Sequence, residues 1–334
     1  MGGAEAGASG GVRGGGALKV LIADDNTVSL LLLERLLSKW GYEVIQARDG
    51  AGAWEILQAE DPPRLVILDW MMPGMSGPEV CCEARKRVAS AYAYILLVTS
   101  KEDKQDVIQG LEAGADDYLT KPFFPEELRA RLRVGLRILE LEDKLVTASN
   151  VLQYKATHDE LTGLLNRASI DELLRRELER AKRGGGVCGV IFADVDHFKS
   201  VNDKLGHAAG DAVLCQAAQR LTAGVRGYDA VGRYGGEEFL IVLPGCDVSS
   251  LRQRAENILE GFRAQPFNAL ESSISIRVSL GAACSSSWSS VALEVIVRAA
   301  DQALYRAKHN GRDRVEVAES SEIAEPVLAS TPAI

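Results

Sequence analysis

The chain has 334 residues, enough for two domains of about 150 residues, each with its own core. A hydrophobic content of 46% and a charged content of 25% are those of an ordinary globular chain, which excludes whole-chain disorder and a fibrous fold. Thirty-eight basic against 47 acidic side chains leave a net charge of -9, a balance that repels nucleic-acid backbones and anionic membranes and makes any phosphate chemistry local.

The longest unbroken apolar run is Ala91 to Val98, eight residues, where a bilayer core demands about 20. No membrane partner is expected. Residues 1–17 are dominated by glycine and read as a flexible leader. The six cysteines (Cys81, Cys82, Cys188, Cys215, Cys246 and Cys284) show no paired CxxC spacing. With no signal peptide ahead of them, they are expected to be reduced thiols in a cytoplasmic chain.

From Lys19 onward, the short strings LKVLIA, VIQA, LVILD, ILLVT and DYLTK alternate with longer helix-like stretches. Strands of continuous apolar character joined by helix-length segments predict an α/β domain over 18–137, with a parallel, doubly wound, flavodoxin-like sheet in the order 2-1-3-4-5. Asp24 and Asp25 stand where the first strand stops, Asp69 ends the third, Thr99 ends the fourth and Lys121 follows the fifth. All of these lie on the carboxyl rim, where ligands of such sheets bind. Three converging carboxylates repel unless a hard cation neutralises them, and oxygen ligands of this kind suit Mg2+. With the cation held, one carboxylate can attack a phosphoryl group; Asp69 is the candidate nucleophile.

After Pro125, the apolar residues Val134, Ile138, Leu141, Leu145, Ala148 and Leu152 recur at spacings of 4 and 3 among charged neighbours. This heptad seam predicts a helical stalk over 138–156 that pairs with a second copy, in a homodimer or higher homo-oligomer.

A second, α+β domain is expected over 157–317, followed by a disordered tail at 318–334. Its strands are predicted at Gly189 to Asp194, Ala230 to Tyr234, Glu238 to Leu243 and Ser275 to Ala282. Helices are predicted at Ile170 to Lys182, Ala208 to Thr222, Ser250 to Ala264 and Val291 to His309. That order suits helices packed on a mixed or antiparallel sheet. Asp194 and Asp196 alternate onto one strand face, and Gly235-Gly236 reads as a tight hairpin carrying Glu237 and Glu238. If the hairpin lies beside the aspartate strand, Asp194 and Glu237 can share divalent ions in a triphosphate site.

These two regions resemble known families. The first resembles the receiver domain of two-component response regulators. That resemblance implies Asp24 and Asp25 as acidic metal residues, Asp69 as phosphoacceptor, the Met71 carbonyl as a ligand, Thr99 and Lys121 as phosphate partners and Tyr118 as a switch aromatic. It also implies a cognate sensor histidine kinase. In the second, DELTGLLNR, DVDHFKSVND, GGEEF and DQALYRAKHNGRDR, in that order, resemble the GGDEF diguanylate cyclases, whose nucleotide-cyclase-like palm makes cyclic di-GMP from GTP.

Carried over residue by residue, this implies Asp194, the Val195 carbonyl and Glu237 as ligands of one or two Mg2+. Glu237 or Glu238 would assist deprotonation of the attacking hydroxyl. Lys199, Lys308 and Arg312 would meet phosphates, and Asn202 and Asp211 would read guanine, with His207 and Leu161 nearby. Arg226 and Asp229 form an RxxD at the family's product-inhibition position. A carboxylate such as Asp211 only accepts hydrogen bonds, and guanine offers donors at N1 and N2 where adenine presents an acceptor at N1, so GTP is the expected substrate. The expected whole is a phosphorylation-regulated diguanylate cyclase. The alternative is a non-catalytic nucleotide-binding response regulator.

Overall fold

The computed structural model describes residues 18–86, 91–100, 104–269, 272–287 and 292–319. The predicted leader and residues 320–334 of the predicted tail lie outside them. The chain divides into two compact units, Met1–Ser149 and Asn150–Ile334.

In the first unit, β1 (Lys19–Ala23), α1 (Thr27–Lys39), β2 (Glu43–Ala47), α2 (Gly50–Leu57), β3 (Leu65–Asp69), α3 (Gly77–Lys86), β4 (Tyr94–Thr99), α4 (Lys104–Glu112) and β5 (Asp117–Thr120) alternate. The strands are all parallel and run in the order β2-β1-β3-β4-β5, the flavodoxin-like arrangement expected from their unbroken apolar strings. Every residue of β4 is buried, because successive side chains enter opposite covered faces. Val20, Ile22, Ile67 and Leu96 pack with α1 on one side, and Leu21, Val66, Leu68 and Leu97 pack with α2 and α3 on the other. Asn26 caps α1 by accepting from the amides of Val28 and Ser29, which starts the helix directly after the aspartate pair.

The helix α5 (Pro125–Thr157) is 33 residues long and crosses the boundary between the units. Proline suits its first position, where the missing amide has no intrahelical partner to lose. Leu128, Leu132, Gly135 and Leu139 form the buried stripe. The heptad seam is a different stripe: Val134, Leu141, Leu145 and Leu152 are 51, 56, 65 and 67% exposed, while Ile138 packs partly on the first unit's core. The segment expected as a stalk is thus the continuation of one helix that begins at Pro125.

In the second unit come α6 (Arg167–Gly184), β6 (Cys188–Val195), α7 (Phe198–Leu205), α8 (His207–Ala223), β7 (Ala230–Gly235), β8 (Glu238–Pro244) and α9 (Val248–Ala264). These are followed by β9 (Phe267–Ala269), β10 (Ser272–Ile274), β11 (Val278–Cys284), α10 (Leu293–His309) and β12 (Val315–Val317). The main sheet runs β12-β11-β6-β8-β7 and is mixed, since β12 lies parallel to β11 and the other neighbours are antiparallel. Central β6 is buried along its whole length, with α6 and α10 on one face and α8 and α9 on the other.

One predicted strand needs correction. The strand expected at Ser275 to Ala282 begins at Val278 and ends at Cys284, because residues 275–277 link it to the small β9–β10 ladder. The elements α7, β9, β10 and β12 were not anticipated; at three to eight residues they are too short to show a periodic signal. No helix among the described residues is long and apolar enough to cross a membrane.

Candidate functional site

In the first unit, strand ends β1 and β3 are neighbours, so Asp24, Asp25 and Asp69 bring their carboxylate oxygens within 4.8 Å of one another. Lys121, just past β5, donates from Nζ to Asp24 Oδ2 at 2.8 Å and Asp69 Oδ1 at 2.5 Å. The second oxygen of Asp69 accepts from the Met71 amide at 3.2 Å, whereas the Met71 side chain is exposed. Asp24 Oδ1 accepts from the Asn26 amide at 2.8 Å, so the same aspartate shapes the turn and faces the cluster.

Burial pushes the Asp69 carboxyl above its ordinary range. Lys121 works against that shift and the charge on Asp24 adds to it. Burial also works to lower the Lys121 ammonium, but the hydrogen bonds to Asp24 and Asp69 outweigh it and its pKa ends raised. Hard oxygens crowded onto one ammonium are a donor set that fits Mg2+. Thr99 is buried at the end of β4 and its carbonyl accepts from the Lys121 amide at 2.7 Å. Tyr118 stands beside Leu97 in the β4–β5 ladder and packs on the α2–α3 side of the sheet.

In the second unit, the antiparallel pairing of β6 with β8 sets Asp194 opposite Glu238, and the Val195 amide donates to the Glu237 carbonyl at 3.2 Å. The turn between β7 and β8 needs a left-handed residue, supplied by Gly236 at φ 52°. Among the described residues only the trio of the first unit meets the 4.8 Å spacing; here Lys308 Nζ stands on Asp194 Oδ2 at 2.7 Å. The carboxyls of Asp194, Glu237 and Glu238 are all raised above their ordinary values. Burial is the first cause in each, and the charge on Asp194 is the second for both glutamates. Crowded acids with hard oxygen donors again fit a divalent cation.

Two residues that sequence reasoning missed brace this hairpin. Arg233 donates from Nη1 to both oxygens of Asp159 at 3.0 and 3.1 Å, and from Nε and Nη2 to the Gly236 carbonyl at 3.0 and 2.9 Å. Asp159 also accepts from the Thr162 amide and hydroxyl at 2.9 and 2.7 Å. The partners are far apart in sequence, so no local signal pairs them.

Asn202 lies in α7 and Asp211 in α8, on either side of Gly206 (φ 83°). Gly206 is the N-cap of α8 and makes no side-chain bond there, so neither polar residue is used as that cap. A Cβ at Gly210 would lie 1.9 Å from Asn202 Oδ1; the missing side chain is what gives the Asn202 amide its place. Asp211, His207 and Lys199 are exposed and Asn202 is half-buried. Leu161 packs on the core, and its carbonyl accepts from Cys215 Sγ of α8 at 3.2 Å. Arg312, beyond α10, reaches no closer than 3.9 Å to Asp196.

The Arg226 and Asp229 side chains do not form the simple ion pair that an RxxD suggests. Asp229 accepts from the Arg226 amide at 2.8 Å and pairs with Arg254 Nη1 at 3.4 Å, while the Arg226 guanidinium turns to the Tyr228 hydroxyl. Arg254, on α9, was not legible as a neighbour of this turn.

The family model described as "Diguanylate cyclase, GGDEF domain" matches residues 156–314, and "Response regulator receiver domain" matches residues 20–133. The chain belongs to the GGDEF family, with a response-regulator receiver domain preceding the GGDEF domain. It is 29% identical to Response regulator PleD of Caulobacter vibrioides over 89% of this chain and 65% of that one. To Diguanylate cyclase DgcP of Pseudomonas aeruginosa it is 43% identical over 63% of this chain and 32% of that one. The chain therefore spans less than two thirds of either relative. Among solved structures, the coiled coil and GGDEF domain of DgcB from Caulobacter crescentus, in complex with c-di-GMP, superposes with a TM-score of 0.52 at 30% identity, covering 57% of this chain and 99% of that one.

Proposed function

We propose that this chain is a phosphorylation-responsive diguanylate cyclase that joins two GTP molecules into cyclic di-GMP and releases two pyrophosphates. The observation that carries this reading is the ladder in which the GGEEF hairpin lies beside the aspartate strand, Glu238 opposite Asp194, with Lys308 on the same carboxylate. DgcP is named a diguanylate cyclase, and DgcB was solved with c-di-GMP.

Asp194, Glu237 and the Val195 carbonyl would hold Mg2+. When bound, the metal neutralises triphosphate oxygens and polarises the α-phosphate. Asn202 and Asp211 hold guanine, Asp211 by accepting from its N1 and N2 donors. Lys199, Lys308 and Arg312 meet the phosphates. The 3′-oxygen of one GTP attacks the α-phosphorus of the other, the bond to pyrophosphate breaks, and the hydroxyl proton passes to a carboxylate drawn from Glu237 and Glu238, whose raised pKa suits a proton acceptor. A two-fold product needs two such sites facing each other, so a homodimer is a requirement of the chemistry, and the exposed residues of the seam, Val134, Leu141, Leu145 and Leu152, would supply the surface for it. Arg226, Asp229 and Arg254 would take the product back as a feedback inhibitor.

In the receiver, an Asp69 carboxylate oxygen attacks the phosphorus of a phosphohistidine on a sensor kinase, the P–N bond breaks, and the imidazole leaves with the kinase while the phosphoryl group stays on Asp69 as an acyl phosphate. Lys121 and the Thr99 hydroxyl then meet the new phosphoryl oxygens. The added charge biases the helix α5 that leads to the cyclase.

The test is incubation of the purified chain with GTP and Mg2+, with and without an acyl phosphate donor, across protein concentration and with chromatographic detection of product. Cyclic di-GMP that rises with donor and with protein concentration is the expected result. A folded, phosphorylated dimer that makes no cyclic dinucleotide overturns the reading in favour of a binding module.

A further inference from the structure

The turn that carries Arg312 is bent against the preference of its own residues. Gly311, Arg312 and Asp313 have φ of 108°, 60° and 48°. Glycine accepts that half of the map freely, whereas arginine and aspartate enter it at a cost. Such backbone persists only where the surroundings over-determine it, and it gathers at functional sites.

The surroundings here do so from several directions. Asp196 is 5% exposed and stands two residues beyond Asp194. It accepts from the Asp313 amide at 3.1 Å on Oδ2 and from the Ser279 hydroxyl at 2.8 Å on Oδ1. From α9, Arg263 donates Nε to both Asp313 carboxylate oxygens at 3.0 and 3.1 Å, and Nη2 to the Asp313 carbonyl at 2.6 Å. Arg277 Nε lies 3.3 Å from Asp313 Oδ2. The flanks are fixed as well: the Arg312 amide donates to the Ala307 carbonyl at 3.0 Å, and the Leu280 amide to the Arg314 carbonyl at 2.9 Å.

Every polar group of Asp313 is therefore used, while the Arg312 side chain is 45% exposed and, among the described residues, makes only the 3.9 Å approach to Asp196. A turn needed only to end α10 and begin β12 requires no left-handed arginine and no aspartate held by two guanidiniums. What the arrangement does fix is the direction in which Arg312 leaves the backbone, four residues past Lys308 on the rim that holds Asp194.

We infer that Asp313, clamped by Asp196, Arg263 and Arg277, is a positioning residue that aims the Arg312 guanidinium at the phosphates of the nucleotide held over Asp194. This rests on the reading of the chain as a GTP-using cyclase.

The experiment compares the full chain with Asp313→Ala, Asp313→Asn, Arg263→Ala, Arg312→Ala and the double variant Asp313→Ala/Arg312→Ala, measuring KM and kcat for GTP with Mg2+ together with the melting temperature. Asp313→Ala should raise KM about tenfold with a smaller change in kcat, and add nothing further on top of Arg312→Ala. Asp313→Asn, which tolerates the left-handed turn and keeps an acceptor for Arg263, should recover most of the loss. If Asp313→Ala does not fold, Arg263→Ala opens the clamp from its exposed side and should show the same KM effect. An unchanged KM in folded variants, or effects of Asp313→Ala and Arg312→Ala that multiply, overturns this inference alone. A wild-type chain that turns over no GTP overturns it together with the cyclase reading.

Discussion

The two acidic sites of this chain are built from the same parts and differ in geometry. Each sets a lysine ammonium on an aspartate at a strand end, Lys121 on Asp24 and Asp69, and Lys308 on Asp194. In the receiver the strands are parallel and all end on one rim, so three carboxylates converge on a single point. In the GGDEF unit β6 and β8 are antiparallel, β8 starts where β6 stops, and the acids face one another across the ladder. A convergent cluster suits one cation and one transferred phosphoryl group. Acids spread across a ladder form a ledge, on which, in the proposed reaction, a second substrate meets the first.

The largest expected effect breaks the comparison on the cyclase side. Glu237→Gln keeps the hairpin's shape and removes a charge from the ledge; turnover of GTP should fall by about a thousandfold or more, read as product per unit time at saturating Mg2+. A variant within a few-fold of wild type would remove Glu237 from the machinery and leave Glu238 to carry the role. On the receiver side, Asp69→Asn should do something different in kind. Basal turnover should stay within about twofold of wild type, because the change lies in the receiver, outside the GGDEF unit, while activation by an acyl phosphate disappears. Equal rates of mutant and wild type, each with and without donor, would discard the switch.

What was legible in the sequence follows from how far each signal reaches along the chain. Asp24, Asp69 and Asp194 could be placed because each ends an apolar run, and the end of a run is the end of a strand. The hairpin was legible because two glycines between β-type strings have few other uses. Asn202 could be assigned a role only through resemblance: the eight-residue α7 that carries it is too short for helical periodicity to show. The braces were not legible at all. Arg233 meets Asp159 across 74 positions, Arg254 meets Asp229 across 25 and the Asp313 amide meets Asp196 across 117; nothing local in the sequence marks such pairs, since any surface arginine has several acids to choose from.

A smaller effect is expected at the seam of α5. Leu145→Glu places a charge in the middle of the exposed apolar stripe and should weaken self-association about tenfold, moving the concentration at which turnover sets in by the same factor. Sedimentation across a dilution series checks it. Turnover per chain that is independent of concentration in both proteins would show that this stripe does not carry the pairing.

The smallest effect concerns stability, and its sign distinguishes a ledge of crowded acids from an ordinary charged surface. Asp194, Glu237 and Glu238 have raised pKa values in the folded protein and ordinary ones when unfolded, so the folded state binds protons more tightly. Their contribution to stability is therefore present below the ordinary carboxylate range and is lost as pH rises through the raised values. Above the raised values the three are charged and, without metal, repel one another, with Lys308 offsetting part of that repulsion. Removing one charge by Glu237→Gln should raise the metal-free melting temperature by about 2 °C near neutral pH, after allowance for solvent screening at this half-exposed site. At about pH 4, where the wild-type carboxyl is itself protonated, it should raise it by nothing measurable. Mg2+ opposes the same repulsion, so it should raise the wild-type melting temperature more than that of Glu237→Gln. Calorimetry at both pH values, with chelator and with Mg2+, reads all of these. A gain of equal size at both pH values would mean that the substitution acts through packing, and that the glutamate does not feel Asp194.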